Sequence, residues 1–162
     1  MGMVLSARRA DGPQLKSLRA DPSRAASFVE DAGAGESDML DLDKSWHALH
    51  FLLTGDAGGA PYPLGLVMGG EEIGADESYG PARLIEPAEM LDFSTALSGL
   101  SDAELKRRYD PAEMAQHHIY IADSLVEEGE EGWDYLASFL SGLRRFAERC
   151  VHTSSGAIIL IG

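Results

Sequence analysis

Apolar side chains at Trp133, Leu136, Ala137, Leu140, Leu143, Ala147 and Cys150 recur at the i, i+3, i+4, i+7 interval of a helix with one buried stripe. The spacing predicts a long C-terminal helix over about 132–150. Glu130, Glu131 and Asp134 at its start and Arg144, Arg145 and Arg149 at its end suit the helix dipole. The following GAIILIG (156–162) has no polar alternation, the pattern of a strand buried on both faces and hence central in its sheet. GMVLSAR (2–8) and ARLI (82–85) read as two further strands.

Between these runs an acid followed by proline recurs as a helix start, because the carboxylate accepts from the first turn and proline needs no donor partner there. Asp11 with Pro13, Asp21-Pro22, Glu86-Pro87 and Asp110-Pro111 open helices through Leu15 and Leu18, through Val29, over 87–98 and over PAEMAQ. SDAE (101–104) is a capping box for a helix carrying Leu105 and Tyr109, and HHIYIA (117–122) reads as extended or irregular. DAGAGESD (31–38), GDAGGAPYPLG (55–65) and MGGEEIGADESYG (68–80) are loops. The last carries Glu71, Glu72, Asp76 and Glu77. The elements predict a single α+β domain over residues 1–162, with a small mixed sheet packed by several helices.

One helix departs from the simple pattern. In LDLDKSWHALHFLLTG, turned at about 100° per residue, Asp43, His47, His50 and Thr54 share a narrow polar band. Trp46, Ala48, Leu49, Phe51, Leu52 and Leu53 fill most of the remainder. Asp43 is placed as its N-cap, with Lys44 and Ser45 in the first turn. Such a seam has three readings. Its imidazoles can hydrogen-bond to loop carbonyls and fix the packing. They can share a cation, helped by Asp43, His117, His118 or the acidic loops. One of them can act as a general acid and base in a cleft. The packing reading leads, since HxxH alone is a weak metal signal and HExxH is absent. If 117–122 is extended, at most one of His117 and His118 faces the seam.

Composition narrows the function classes. Over 162 residues, 27 acidic against 13 basic side chains give a net charge of −14. That is far too negative for a ligand whose phosphates must be met by Lys and Arg, so nucleic acid is excluded as a partner. A field of this sign steers a basic partner or keeps the protein soluble. Of the basic residues ten are Arg, a skew that suggests a GC-rich bacterial genome. The single Cys150 rules out an internal disulfide and fits a reducing, cytoplasmic setting. No apolar run is long enough for a membrane span, and Met1 to Arg9 lacks the order of a secretion signal. MGMVLS fits an N-myristoylation pattern by letter, and is read as the first strand instead.

Motifs for other chemistry are missing. There is no GxxxxGK[ST] or GxGxxG to cradle a phosphate, no GxSxG elbow, and no DxDxDG order in the acidic EEGEEGWD (127–134). Cys150 lies on an apolar stripe, and Ser154-Ser155-Gly156 has no neighbouring base. No cofactor and no metal are expected.

Several stretches together carry a resemblance. MGM with an apolar strand, LDLDKSWHALHFLLTG, SYGPARLIEPAEM, LSDAELKRRYDPAEM, and IY before the long helix and last strand resemble, in this order, the YfbM-like family of bacterial proteins of unknown function. The resemblance implies a single-domain α+β fold and a small cytosolic protein, and brings no activity with it. Asp43, Lys44, Trp46, His47 and His50, with Gly80, Pro81, Ala82 and Arg83, match its pattern. The candidate cluster is therefore Asp43, Lys44, Trp46, His47, His50, Thr54, Tyr79 and Arg83. Arg83 is expected to pair with Asp41 or Asp43, with an anionic ligand as the alternative. The functional expectation is a non-catalytic, acidic protein-binding module with a basic protein partner, for example an immunity-type protein. The alternative is a small-molecule-binding protein or enzyme with a cleft lined by Asp43, His47, His50, Arg83 and Tyr79.

Overall fold

A computed structural model of the chain describes residues 2–76 and 79–162. Glu77, named above in the acidic loop, lies outside them. The elements in chain order are β1 (Leu5–Ala10), α1 (Gly12–Ala20), α2 (Ala25–Glu30), β2 (Met39–Asp43), α3 (Trp46–Thr54), β3 (Glu71–Ile73), β4 (Ala82–Ile85), α4 (Pro87–Ser98), α5 (Asp102–Arg108), α6 (Pro111–Gln116), α7 (Ala122–Glu128), α8 (Glu130–His152) and β5 (Gly156–Ile161).

The α+β class holds, and the sheet is a single five-stranded one in the order β2-β1-β5-β4-β3. All four pairings are antiparallel, so the expected mixed sheet is corrected. Nothing in an apolar run fixes the direction of its neighbour. β5 is the central strand, and its side chains divide between the two sides. Ala157 and Ile159 enter the larger core with α3, α4 and α8, while Ile158 joins Leu15, Leu18, Val29 and Leu84 under α1 and α2. Gly156 is fixed by packing, since a Cβ there would lie 1.9 Å from the Ile85 carbonyl oxygen.

The capping signals work as local chemistry requires. Asp11 accepts from Gln14 N, Ser101 from Glu104 N and Asp110 from Glu113 N, and Glu86 with Glu89 closes a capping box. Asp21 is an exception, for its carboxylate takes the Ser23 hydroxyl and makes no cap bond. The amphipathic stripe of α8 is buried along Trp133, Leu136, Leu140, Leu143, Ala147 and Cys150.

Three expectations are corrected. β1 begins at Leu5, and Gly2 instead lies so close to Lys44 and Tyr120 that a Cβ there would meet both at 2.5 Å. Of the two readings of residues 117–122 the irregular one holds and the extended one is corrected; they turn between α6 and α7, with His118 and Ile121 at positive φ, and both histidines are exposed. The largest change concerns the stretch before α3. Leu40 and Leu42 point into the core while Asp41 is exposed, so this part has period two and is the edge strand β2.

Candidate functional site

Asp43 is therefore the last residue of β2 and not a helix cap. Its φ is 44°, which sets its side chain apart from the face of α3. Its carboxylate accepts from Tyr135 Oη at 2.9 Å, an α8 residue whose phenol is pushed up by burial and by that bond. The N-cap of α3 is Ser45, whose hydroxyl turns back to the Leu42 carbonyl at 2.6 Å. The polar band thus loses its first member, leaving His47, His50 and Thr54.

What these three face is the loop after α3. Asp56 Oδ1 accepts from Gly58 N at 2.9 Å and Gly59 N at 2.7 Å, curling the chain back over the helix; these bonds lower the Asp56 carboxyl below its ordinary range, Gly59 most. Thr54 Oγ1 donates to the His50 carbonyl at 2.8 Å and accepts from Asp56 N at 3.1 Å. The curl presents two carbonyls to the imidazoles. His47 Nε2 donates to Ala57 O at 2.7 Å and His50 Nε2 to Gly59 O at 2.7 Å. A carbonyl only accepts, so each Nε2 carries the proton. His47 Nδ1 then accepts from Tyr120 N at 3.0 Å, and neither of its nitrogens is free.

His50 differs. It is 0% exposed, and its Nδ1 has no partner. Burial holds its pKa below the ordinary histidine value against the opposing Gly59 bond, and the nearby His47 and Arg83 act in the same direction as burial. A neutral, enclosed imidazole can brace a loop, and burial opposes its taking up a proton.

The rest of the cluster separates. Trp46 stacks on His47 at 5.2 Å between ring centroids and donates Nε1–H to Met3 O at 3.1 Å, while Tyr120 Oη accepts from Met3 N at 3.0 Å. Together they hold the chain ahead of β1. Lys44 is exposed, and with Asp43, Ile121, Ser124, Leu125, Glu128 and Tyr135 it lines a depression of about 230 Å³ that includes neither His47 nor His50. Tyr79 is 51% exposed in the β3–β4 loop. Arg83 makes no ion pair with Asp41 or Asp43, which corrects the expected salt bridge. It lies on β4, separated from β2 by two strands. Its Nη1 and Nη2 donate instead to Gly69 O at 2.6 Å and Val67 O at 2.9 Å, and burial brings its pKa down to about 10.

Thus the structure joins His47, His50 and Thr54 on one loop, puts Arg83 on the next turn of chain, and sends Asp43 to α8. The sequence reading missed Tyr120 and Tyr135, the two tyrosines that hold His47 and Asp43. The only sequence signal for Tyr120 was its place in the IY of the family-like pattern. Among the described residues no group of His, Cys, Asp and Glu could hold a metal ion, and no helix is long and apolar enough to cross a membrane.

Comparison with known proteins agrees with the resemblance read from the sequence. The family described as Domain of unknown function (DUF1877) matches residues 1–160. A solved structure described as that of YfbM, a protein of unknown function from Escherichia coli, is similar with a TM-score of 0.76 and 20% identity. The likeness covers 98% of this chain and 99% of that one, and at this identity it concerns the fold alone. No curated protein matches.

Proposed function

The chain belongs to the DUF1877 family, and we propose that it acts by binding a basic protein partner through its acidic surface, without catalysing a reaction. One observation carries the reading: Asp123, Glu127, Glu128, Glu130, Glu131 and Asp134 crowd the α7–α8 corner, all exposed. Lys106, which meets Glu130 at 3.1 Å, is the one cation paired with them among the described residues. Asp123 with Glu127 and Glu130 with Asp134 are like charges at i, i+4, each costing about 0.2–0.5 kcal/mol. A basic surface would turn that cost into attraction and would speed encounter. Neutralisation of a basic toxin inside a bacterial cell is one concrete form of this role.

The rival reading of a catalytic cleft has less support. An acid or base needs a nitrogen that can meet a substrate, while His47 spends both of its nitrogens on backbone and His50 is closed to solvent.

The test is affinity capture from a bacterial lysate at low ionic strength. The expected result is retention of a discrete basic protein, its release by salt, and its loss with the triple variant D123N/E127Q/E131Q. Equal retention by that variant, or no basic protein at all, would overturn the proposal.

A further inference from the structure

β2 is an edge strand. No strand lies on its outer side among the described residues, and the backbone of Leu40 and Asp41 makes no hydrogen bond outside its ladder with β1. An edge leaves alternate peptide groups facing outward, free to pair with another chain. Beside this edge runs a groove of about 530 Å³, lined by Glu36, Met39, Leu40, Asp41, Gly142 and Phe146 among others. Its α8 wall continues through Phe139 and Tyr135, half-buried rings packed edge to face at 5.0 Å.

Gly142 is the informative residue of that wall. It sits inside a 23-residue helix, where glycine costs about 1 kcal/mol relative to alanine. The fold does not require it, since an added Cβ would find its nearest neighbour, Leu40 Cδ1, at 4.0 Å. Contrast Gly132 in the same helix, where a Cβ would strike Tyr109 Oη at 2.3 Å. At position 142 the missing side chain keeps the groove open.

We infer that the free edge of β2 and the groove between it and α8 take an extended basic segment of a partner protein by strand addition. The inference rests on the binding reading above: the acidic α7–α8 corner draws the basic partner in, and this edge adds a second contact and its mode. The occupant follows from register and charge. Leu40 and Leu42 face the α8 side, so a strand laid beside β2 sends every second side chain into the groove, onto Gly142 and Phe146. The intervening side chains emerge on the face of Asp41, and there lysine or arginine is matched. Arg145, the one base on the lining, is drawn along its own helix to Ser141 Oγ at 2.8 Å. A second copy of this chain is disfavoured as occupant because each copy carries −14.

The test uses a blocked (Lys-Val)4 peptide, read by amide chemical shifts of the full-length protein. The expected result is shifts at Leu40, Asp41 and Gly142. Affinity should fall at least about tenfold for the same peptide N-methylated at every residue, since several backbone bonds are lost. A similar fall is expected for Gly142→Leu, checked by its thermal melt, and for the exposed charge reversal Asp41→Lys. Equal binding of the methylated peptide, with shifts confined to Asp123, Glu127 and Glu131, would overturn strand addition and leave the acidic-surface reading standing. Absence of any shift would overturn the inference, with the capture experiment still deciding the parent reading. A dimer seen by analytical ultracentrifugation without peptide, and abolished by Gly142→Leu, would assign the edge to a second copy and overturn the basic segment.

Discussion

His50 donates its Nε2 proton to the Gly59 carbonyl at 2.7 Å across nine residues of chain, with its other ring nitrogen sealed from solvent and unbonded. With the bonds of His47 and Thr54, this one ties the buried helix to the loop that covers it. The titration of His50 is linked to folding through the same enclosure. Burial puts its folded pKa below the unfolded value of 6.5.

Between those two values the unfolded chain binds the extra proton and the folded one does not, so stability falls as pH drops below 6.5. The fall is about 1.4 kcal/mol per pH unit and stops once the folded pKa is passed. In His50→Gln an uncharged amide can still donate to Gly59 O, and this component should vanish. Urea midpoints of the two proteins from pH 8 to pH 5 should therefore converge on the acid side. Parallel curves would show that His50 titrates alike in both states.

Arg83 spans two carbonyls with two nitrogens, and geometry matters there as well as charge. Arg83→Met leaves Val67 O and Gly69 O without those donors and should cost about 2–3 kcal/mol. Arg83→Lys offers a point charge in place of a fork and should recover less than half of that. Denaturant midpoints give the magnitudes, and amide exchange across residues 64–70 shows whether the loss is local.

Asp38 holds Arg9 by two contacts, at 2.7 and 2.9 Å, and Arg149 by a third at 3.1 Å, tying the chain before β2 to β1 and to the end of α8. The Arg9 bonds first, and Arg149 after them, bring its carboxyl from 3.8 to about 2. This stabilisation is present above pH 3.8 and is lost as pH falls toward 2. Asp38→Asn should cost roughly 2 kcal/mol at pH 7. Its deficit relative to wild type should shrink steadily between pH 4 and pH 2 in urea titrations.

Gly142→Ala should raise stability by about 0.5–1 kcal/mol, an increase of about 1–4 °C in Tm for a chain of this size. Gly156→Ala should do the opposite, by about 1–3 kcal/mol, because its Cβ would overlap the Ile85 carbonyl. Paired thermal melts separate the two cases. A destabilised Gly142→Ala would mean that the glycine serves the fold and not the groove.

The sequence by itself determined what depends on near neighbours in the chain. The stripe of α8, the two-faced burial of β5 and the caps at Asp11, Ser101, Glu86 and Asp110 follow from side-chain spacing and from bonds reaching three residues. The same local pattern misled at LDLDKSWHALH, where Leu40 and Leu42 fit a period of two while Trp46 to Leu53 follow the helical one. The switch falls at Asp43, whose left-handed backbone no periodicity announces. Tertiary structure alone decided what the polar residues meet. Tyr120 reaches His47 from 73 residues away and Tyr135 reaches Asp43 from 92. Arg83 found carbonyls where a carboxylate was expected, since strand order places two strands between it and β2. Hydrophobic spacing selects the buried face of an element, but a buried polar atom bonds to whichever group packing brings within about 3 Å.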